Sequence, residues 1–131
     1  MKLEKFHEDE RGTIWKLILD NNTVYNIIET KAGYMRSGDI HPNNQHDLVL
    51  KGEVAIMERL PMKYTNDHID KTYLLKDRDY MIIDKGVPHT FKSITDSIVM
   101  EWWDGPFSCE YHKELREFIE KENQKLYKQL K

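Results

Sequence analysis

The chain has 131 residues, a third of them charged, yet acidic and basic side chains nearly balance and leave a formal net charge of -3. That balance offers no basic face to nucleic acid or to an anionic membrane, so a small molecule is the expected partner. The single cysteine, Cys109, rules out an intramolecular disulfide, no N-terminal run reads as a secretory leader, and no apolar run approaches the roughly 20 residues that cross a bilayer. One cytoplasmic domain over residues 1–131 is the expectation.

In chain order, residues 1–12 are mostly charged and read as a surface arm, with Phe6 the only large aromatic. Residues 13–19 and 23–30 are rich in β-branched, aromatic and aliphatic types, and Asp20, Asn21 and Asn22 between them signal a hairpin. Residues 34–37 follow as a short strand.

The stretch from Gly33 to Gly52, GYMRSGDIHPNNQHDLVLKG, is the densest in side chains capable of chemistry. On extended backbone Asp39 and His41, two apart, project to one side and can reach one bound atom. Pro42, Asn43 and Asn44 are turn formers that reverse the chain, so that Gln45 re-enters facing the same cavity. Strands are expected at 47–50 and 53–60, with Gly52 in the tight turn between them.

Residues 61–70 read as a polar loop, and 71–75, 80–83, 89–94 and 97–103 as further short strands. The turn DKGVPHTF, from Asp84, delivers His89 onto its strand as a fourth member of the cluster. Short strands punctuated by turn residues, with no helical period between them, predict an all-β sandwich or barrel over about 13–105. From Glu110 onward Leu115, Phe118, Ile119, Leu126 and Leu130 recur near helical spacing, which predicts an amphipathic helix within about 108–131, with Ser108 as its N-cap.

These spacings resemble the cupin superfamily. Its first motif is Gly, five residues, His-x-His, three or four residues, Glu, six residues, Gly; here Gly33, Asp39, His41, Gln45 and Gly52 stand at those places. Its second is Gly, five residues, Pro-x-Gly, two residues, His, three residues, Asn, and Arg78, Asp84, Gly86, His89 and Ser93 stand there. The resemblance implies a double-stranded β-helix, or jelly-roll, barrel with a C-terminal helix appended. It also implies one divalent metal ion held by Asp39, His41, Gln45 and His89, with iron, manganese, nickel and zinc all chemically compatible. Asp39 and Gln45 replace the family's histidine and glutamate, and glutamine brings no charge.

Alternation supplies two further candidates. If Gln45 points inward then Asp47 does too, as a possible general base, while His46 faces out. On the strand at 97–103 Glu101 and Trp103 share a face, so an inward Glu101 is a second candidate acid or base. The plainer reading places both carboxylates in solvent, and Arg36 and Arg59 on the surface, because a buried arginine is costly without an anionic partner. Should either arginine face inward, it implies a ligand carrying a carboxylate or phosphate. One of Trp102 and Trp103 is expected in the core, and the other against a ligand or the helix.

Three functions are compatible with this pattern: a metal-dependent cupin enzyme, of oxygenase or isomerase type, acting on a small polar molecule; a metal-free nucleotide-sugar isomerase or epimerase; and a non-catalytic small-ligand-binding barrel. Apolar surface left by the helix and the tryptophan pair also predicts a homodimer.

Overall fold

Strict alternation along the central strands decides what the barrel contains. On β5 (Gln45–Lys51) Gln45, Asp47 and Val49 are buried, and on β6 (Val54–Pro61) Val54, Ile56 and Glu58 are. A period of two turns one row of each strand inward. Val49, Val54 and Ile56 meet Ile83, Phe91 and Val99 in the apolar core, which fills one part of the interior and leaves the polar members of the same rows to line the rest.

The computed structural model of the chain describes all 131 residues. The remaining strands are β1 (Lys2–Asp9), β2 (Gly12–Ile18), β3 (Val24–Thr30), β4 (Met35–Ile40), β7 (His68–Leu75), β8 (Tyr80–Ile83), β9 (His89–Ser93), β10 (Ser97–Trp103) and β11 (Glu110–Tyr111), followed by the helix α1 (Lys113–Leu130). They form two antiparallel sheets facing each other. One has the order β1-β2-β3-β10-β5-β8 and the other β11-β4-β9-β6-β7. This is a double-stranded β-helix with a C-terminal helix, the architecture expected from the sequence.

The ends depart from expectation. Residues 2–9 form a strand rather than an arm, paired with β2 along its length, with a bulge between Lys5 and His7. As an edge strand with most of its surface in water, it needs no apolar row to hold it. The segment read as a loop over 61–70 is shorter, because β7 already begins at His68. At the C-terminal side Ser108 is not the helix cap. The chain first crosses the edge of β4 as β11, pairing Glu110 with Ile40 and Tyr111 with Asp39, and those ladder bonds delay the helix to Lys113. His112 is the cap, its Nδ1 accepting the Leu115 N–H at 3.3 Å.

The helix packs on β4 through Leu115, Ile119 and the amide side chain of Asn123. Asn123 donates from Nδ2 to the Met35 carbonyl and accepts from the Met35 N–H, both at 2.8 Å. Under the helix, Ser37 and Gly38 both have φ of 78° and the β4–β9 register shifts between Ser37 and Asp39. This is a bulge. A side chain at Gly38 would press on Arg116 and Ile119 at 3.1–3.2 Å, so the bulge and the seat of the helix are one feature.

Candidate functional site

The bulge in β4 changes which side chains share the interior. Without it, Arg36 would lie on the face opposite Asp39 and His41. With it, all three line one cavity of about 230 Å3, together with Glu101, Trp103 and Phe107. Arg36 is therefore not on the surface: it is 7% exposed, its Nε donating to Thr30 Oγ1 at 2.7 Å and its Nη2 to the Glu29 carbonyl at 3.0 Å. Burial, with the neighbouring Arg11 guanidinium, draws its pKa down to about 10. Arg59 does face out, paired with Asp70 and Glu114.

The two motif histidines meet. Their ring centroids are 5.3 Å apart, and each ring is fixed by a backbone carbonyl, His41 Nδ1 lying 3.0 Å from the Ser108 oxygen and His89 Nδ1 3.0 Å from the Val87 oxygen. A carbonyl can only accept, so both Nδ1 atoms carry a proton, and Nε2 is the atom with the lone pair in the neutral form of either ring. His89 Nε2 is buried without a partner. Burial lowers the pKa of His89 to about 4, which keeps it neutral at physiological pH. Trp103 and Phe107 wall in His41, with ring centroids at 5.2 and 5.8 Å from it.

Gln45, Asp47 and Glu101 form a polar cluster in the barrel interior, of which Glu101 lines the cavity. Asp47 and Glu101 are cross-strand partners on β5 and β10, and Gln45 Nε2 donates to Asp47 Oδ2 and to Glu101 Oε2, both at 3.0 Å. Two acceptors on Nε2 settle the amide's orientation and leave Oε1 as a buried, unpartnered acceptor. The solvated position expected of an ordinary carboxylate does not hold for either acid. Burial raises the pKa of Asp47, and burial with the adjacent Asp47 raises that of Glu101 well above the usual range. Two buried carboxyls this close favour sharing one proton over carrying two charges.

Asp39 stands apart. Its carboxyl lies 3.8 Å from Arg116 Nη1, and burial raises its pKa. Nowhere in the chain do three His, Cys, Asp or Glu side chains converge so as to hold an ion, which leaves Asp39, His41 and His89, three of the four expected ligands, without a shared cluster. An aspartate is shorter than the histidine the motif calls for, and Arg116 lies beside it. What remains for a divalent ion is two imidazole nitrogens and one amide oxygen, a neutral donor set of the kind first-row divalent ions accept. The unpartnered lone pairs of His89 and Gln45 fit such an ion.

His46 faces out, as alternation requires, stacked on Trp102 at 5.0 Å between centroids with 5° between planes. Its Nε2 lies 2.6 Å from Asp104 Oδ1 and its Nδ1 is bonded to the Tyr80 hydroxyl. Thus Trp103 lines the cavity, and Trp102 belongs to the outer face of the sheet rather than to the helix. Sequence reasoning missed one interior acid, Glu58, which lies opposite His89 in the β6–β9 pairing and whose pKa burial raises. Its signal was present in the parity of Val54, Ile56 and Glu58.

No family model matches the sequence, and no curated protein matches it. Solved structures do. The capsular polysaccharide assembling protein CapF from Staphylococcus aureus superposes with a TM-score of 0.69 at 18% identity, over 85% of this chain and 32% of that one. The formate complex of Lactobacillus farciminis oxalate decarboxylase gives 0.65 at 21% identity, over 80% and 32%. Bacillus subtilis oxalate decarboxylase, whose structure was described for its Mn(II) centres, gives 0.63 at 14%, over 82% and 29%. The chain spans about a third of the length of these proteins. At such identities the likeness is one of fold alone: the chain has the jelly-roll barrel of the cupin fold.

Proposed function

We propose that the barrel interior is a metal-dependent site acting on a small polar molecule, with His41 Nε2, His89 Nε2 and Gln45 Oε1 holding one divalent ion. The observation that supports this most directly is the pair of imidazoles whose Nδ1 atoms are both held by backbone carbonyls. That arrangement fixes ring and tautomer and leaves Nε2 free, as the supporting shell of a metal site does. A bound ion would polarise a substrate oxygen or activate water or dioxygen. Gln45 joins this group to the acids, because the amide whose oxygen faces the ion donates its hydrogens to Asp47 and Glu101. Those two acids take the proton-handling role, Glu101 as acid and Asp47 as base. Trp103 and Phe107 restrict water around His41. Asp39 takes the lesser role of countercharge to Arg116.

Manganese is the first ion to offer, since one of the fold neighbours has Mn(II) centres. The test is elemental analysis of protein stripped with chelator and then offered manganese, iron, nickel and zinc in turn. About one ion per chain is expected. Protein that stays empty with all four overturns the metal reading.

A second reading rests on the acid pair alone. One proton held between Asp47 and Glu101 suits isomerisation or epimerisation of a sugar without any ion. Activity that survives exhaustive chelation and is lost in Glu101→Gln would favour it.

A further inference from the structure

Arg36 is a buried cation without an anion. Its Nε and Nη2 bond only the neutral oxygens of Thr30 and Glu29, its Nη1 makes no hydrogen bond, and the side chain lines the cavity. The other two guanidinium groups of the cavity wall are engaged. Arg11 grips Asp9, with Nη2 2.7 Å from Oδ2, and Arg116 donates to the Ser37 carbonyl at 2.7 Å beside Asp39. A purely structural arginine would spend its donors on the chain and find a carboxylate, since an uncompensated buried charge is costly. Arg36 spends two donors on the chain, keeps Nη1 unbonded and finds no carboxylate, although those of Asp39 and Glu101 lie on the same cavity wall.

The same lining includes the apolar side chains of Ile28, Phe91, Val99, Trp103 and Phe107. A ligand completing this site has an anionic end for the guanidinium fork and an apolar or aromatic remainder. Asp39, the wall carboxyl outside the proton-sharing pair, disfavours a second negative charge in the same small volume. We propose that the cavity binds its small molecule through a singly charged oxyanion, a carboxylate or a phosphodiester, seated on Arg36 with the rest of the molecule against Phe91, Trp103 and Phe107. This rests on the reading of the cavity as the working site, and it adds the class of ligand.

The experiment is calorimetric titration of the chelator-treated full chain with three probes: benzoate, its neutral counterpart benzamide, and dimethyl phosphate. At least one anion is expected to bind, and whichever binds identifies the source of the charge. Benzamide should bind at least about tenfold more weakly than benzoate where benzoate is the binder, as a charge-assisted contact requires. In Arg36→Met the anion should weaken by about tenfold or more, with the circular dichroism spectrum unchanged. Arg36→Lys, which keeps the charge and loses the fork, should fall between the two. The proposal is overturned by an anion that binds Arg36→Met as tightly as wild type, by benzamide matching benzoate, or by no binding of any probe to the wild type. That last comparison needs no variant, so a variant that fails to fold does not shelter the proposal. Because no metal is present in these titrations, their failure leaves the metal reading standing, and failed metal uptake leaves this one standing.

Discussion

Asp47 and Glu101 face each other across β5 and β10 inside the barrel, with one amide, that of Gln45, bonded to both. Their closeness allows one charge and not two. The folded pair therefore favours keeping a proton that the unfolded chain releases at lower pH. A carboxyl whose folded pKa is raised contributes stability that is fully present below its unfolded pKa and is lost as the pH rises through its folded pKa. Glu101→Gln should remove this loss, since its amide can donate to Asp47 where the acid proton did. Denaturation curves from pH 4 to pH 9 should show the variant gaining on wild type as pH rises. A constant difference across that range would count against a shared proton.

His41→Ala and His89→Ala are each expected to abolish metal uptake, while His46→Ala leaves uptake intact. The distinction follows from strand parity: His46 lies on the outer face against Trp102, and a one-residue slip would exchange the roles. Metal content of the three variants checks it. Uptake lost with His46→Ala and retained with His41→Ala would invert the site.

A second copy of the chain is the expected cover for the outer face of the six-stranded sheet. Trp15, Ile27, Met100, Leu48 and Tyr80 run across it as one continuous cross-strand row, and beside them Trp102 packs edge-on against Tyr25 at 5.5 Å. A two-fold dimer would bury both rows, and it is the commonest closed assembly. Sedimentation velocity should find a dimer that Trp102→Glu dissociates. A monomer at every concentration removes the expectation.

Replacing Asn123 by Ala should cost about 2–4 kcal/mol, because the Met35 N–H and carbonyl would both be left buried without partners. Urea denaturation measures it. A loss below about 0.5 kcal/mol, the size of an ordinary surface change, would mean that water replaces the amide without penalty.

The barrel was legible because its central strands keep a period of two over the inward rows: the parity that buries Val49 also buries Asp47 and Gln45, and the parity that buries Val99 also turns Glu101 and Trp103 inward. The position of Arg36 was not legible, since parity counted from Asp39 sends it outward. The two positive φ angles at Ser37 and Gly38 reset that count, and no residue type announces a bulge at Ser37. β1 was missed because Lys, Glu and His on an edge strand carry no apolar signature. The displaced cap has a similar cause. Ser108 has the chemistry of a cap, but the backbone beyond it had a strand edge to pair with first.

The Asn123 side chain presents one donor and one acceptor to Met35, the same pair of groups that a residue on a neighbouring strand would present. In effect the helix carries a one-residue imitation of a strand and applies it to the rim of the five-stranded sheet, just past the place where β11 stops. A chain cut before Lys113 would keep all eleven strands and lose that imitation, leaving β4 open to backbone from any other molecule. The helix thus works as a stopper against sheet growth on this side. Strand-to-strand association through β4 is closed to the intact chain, whereas the outward edges of β1, β7 and β8 have no such plug.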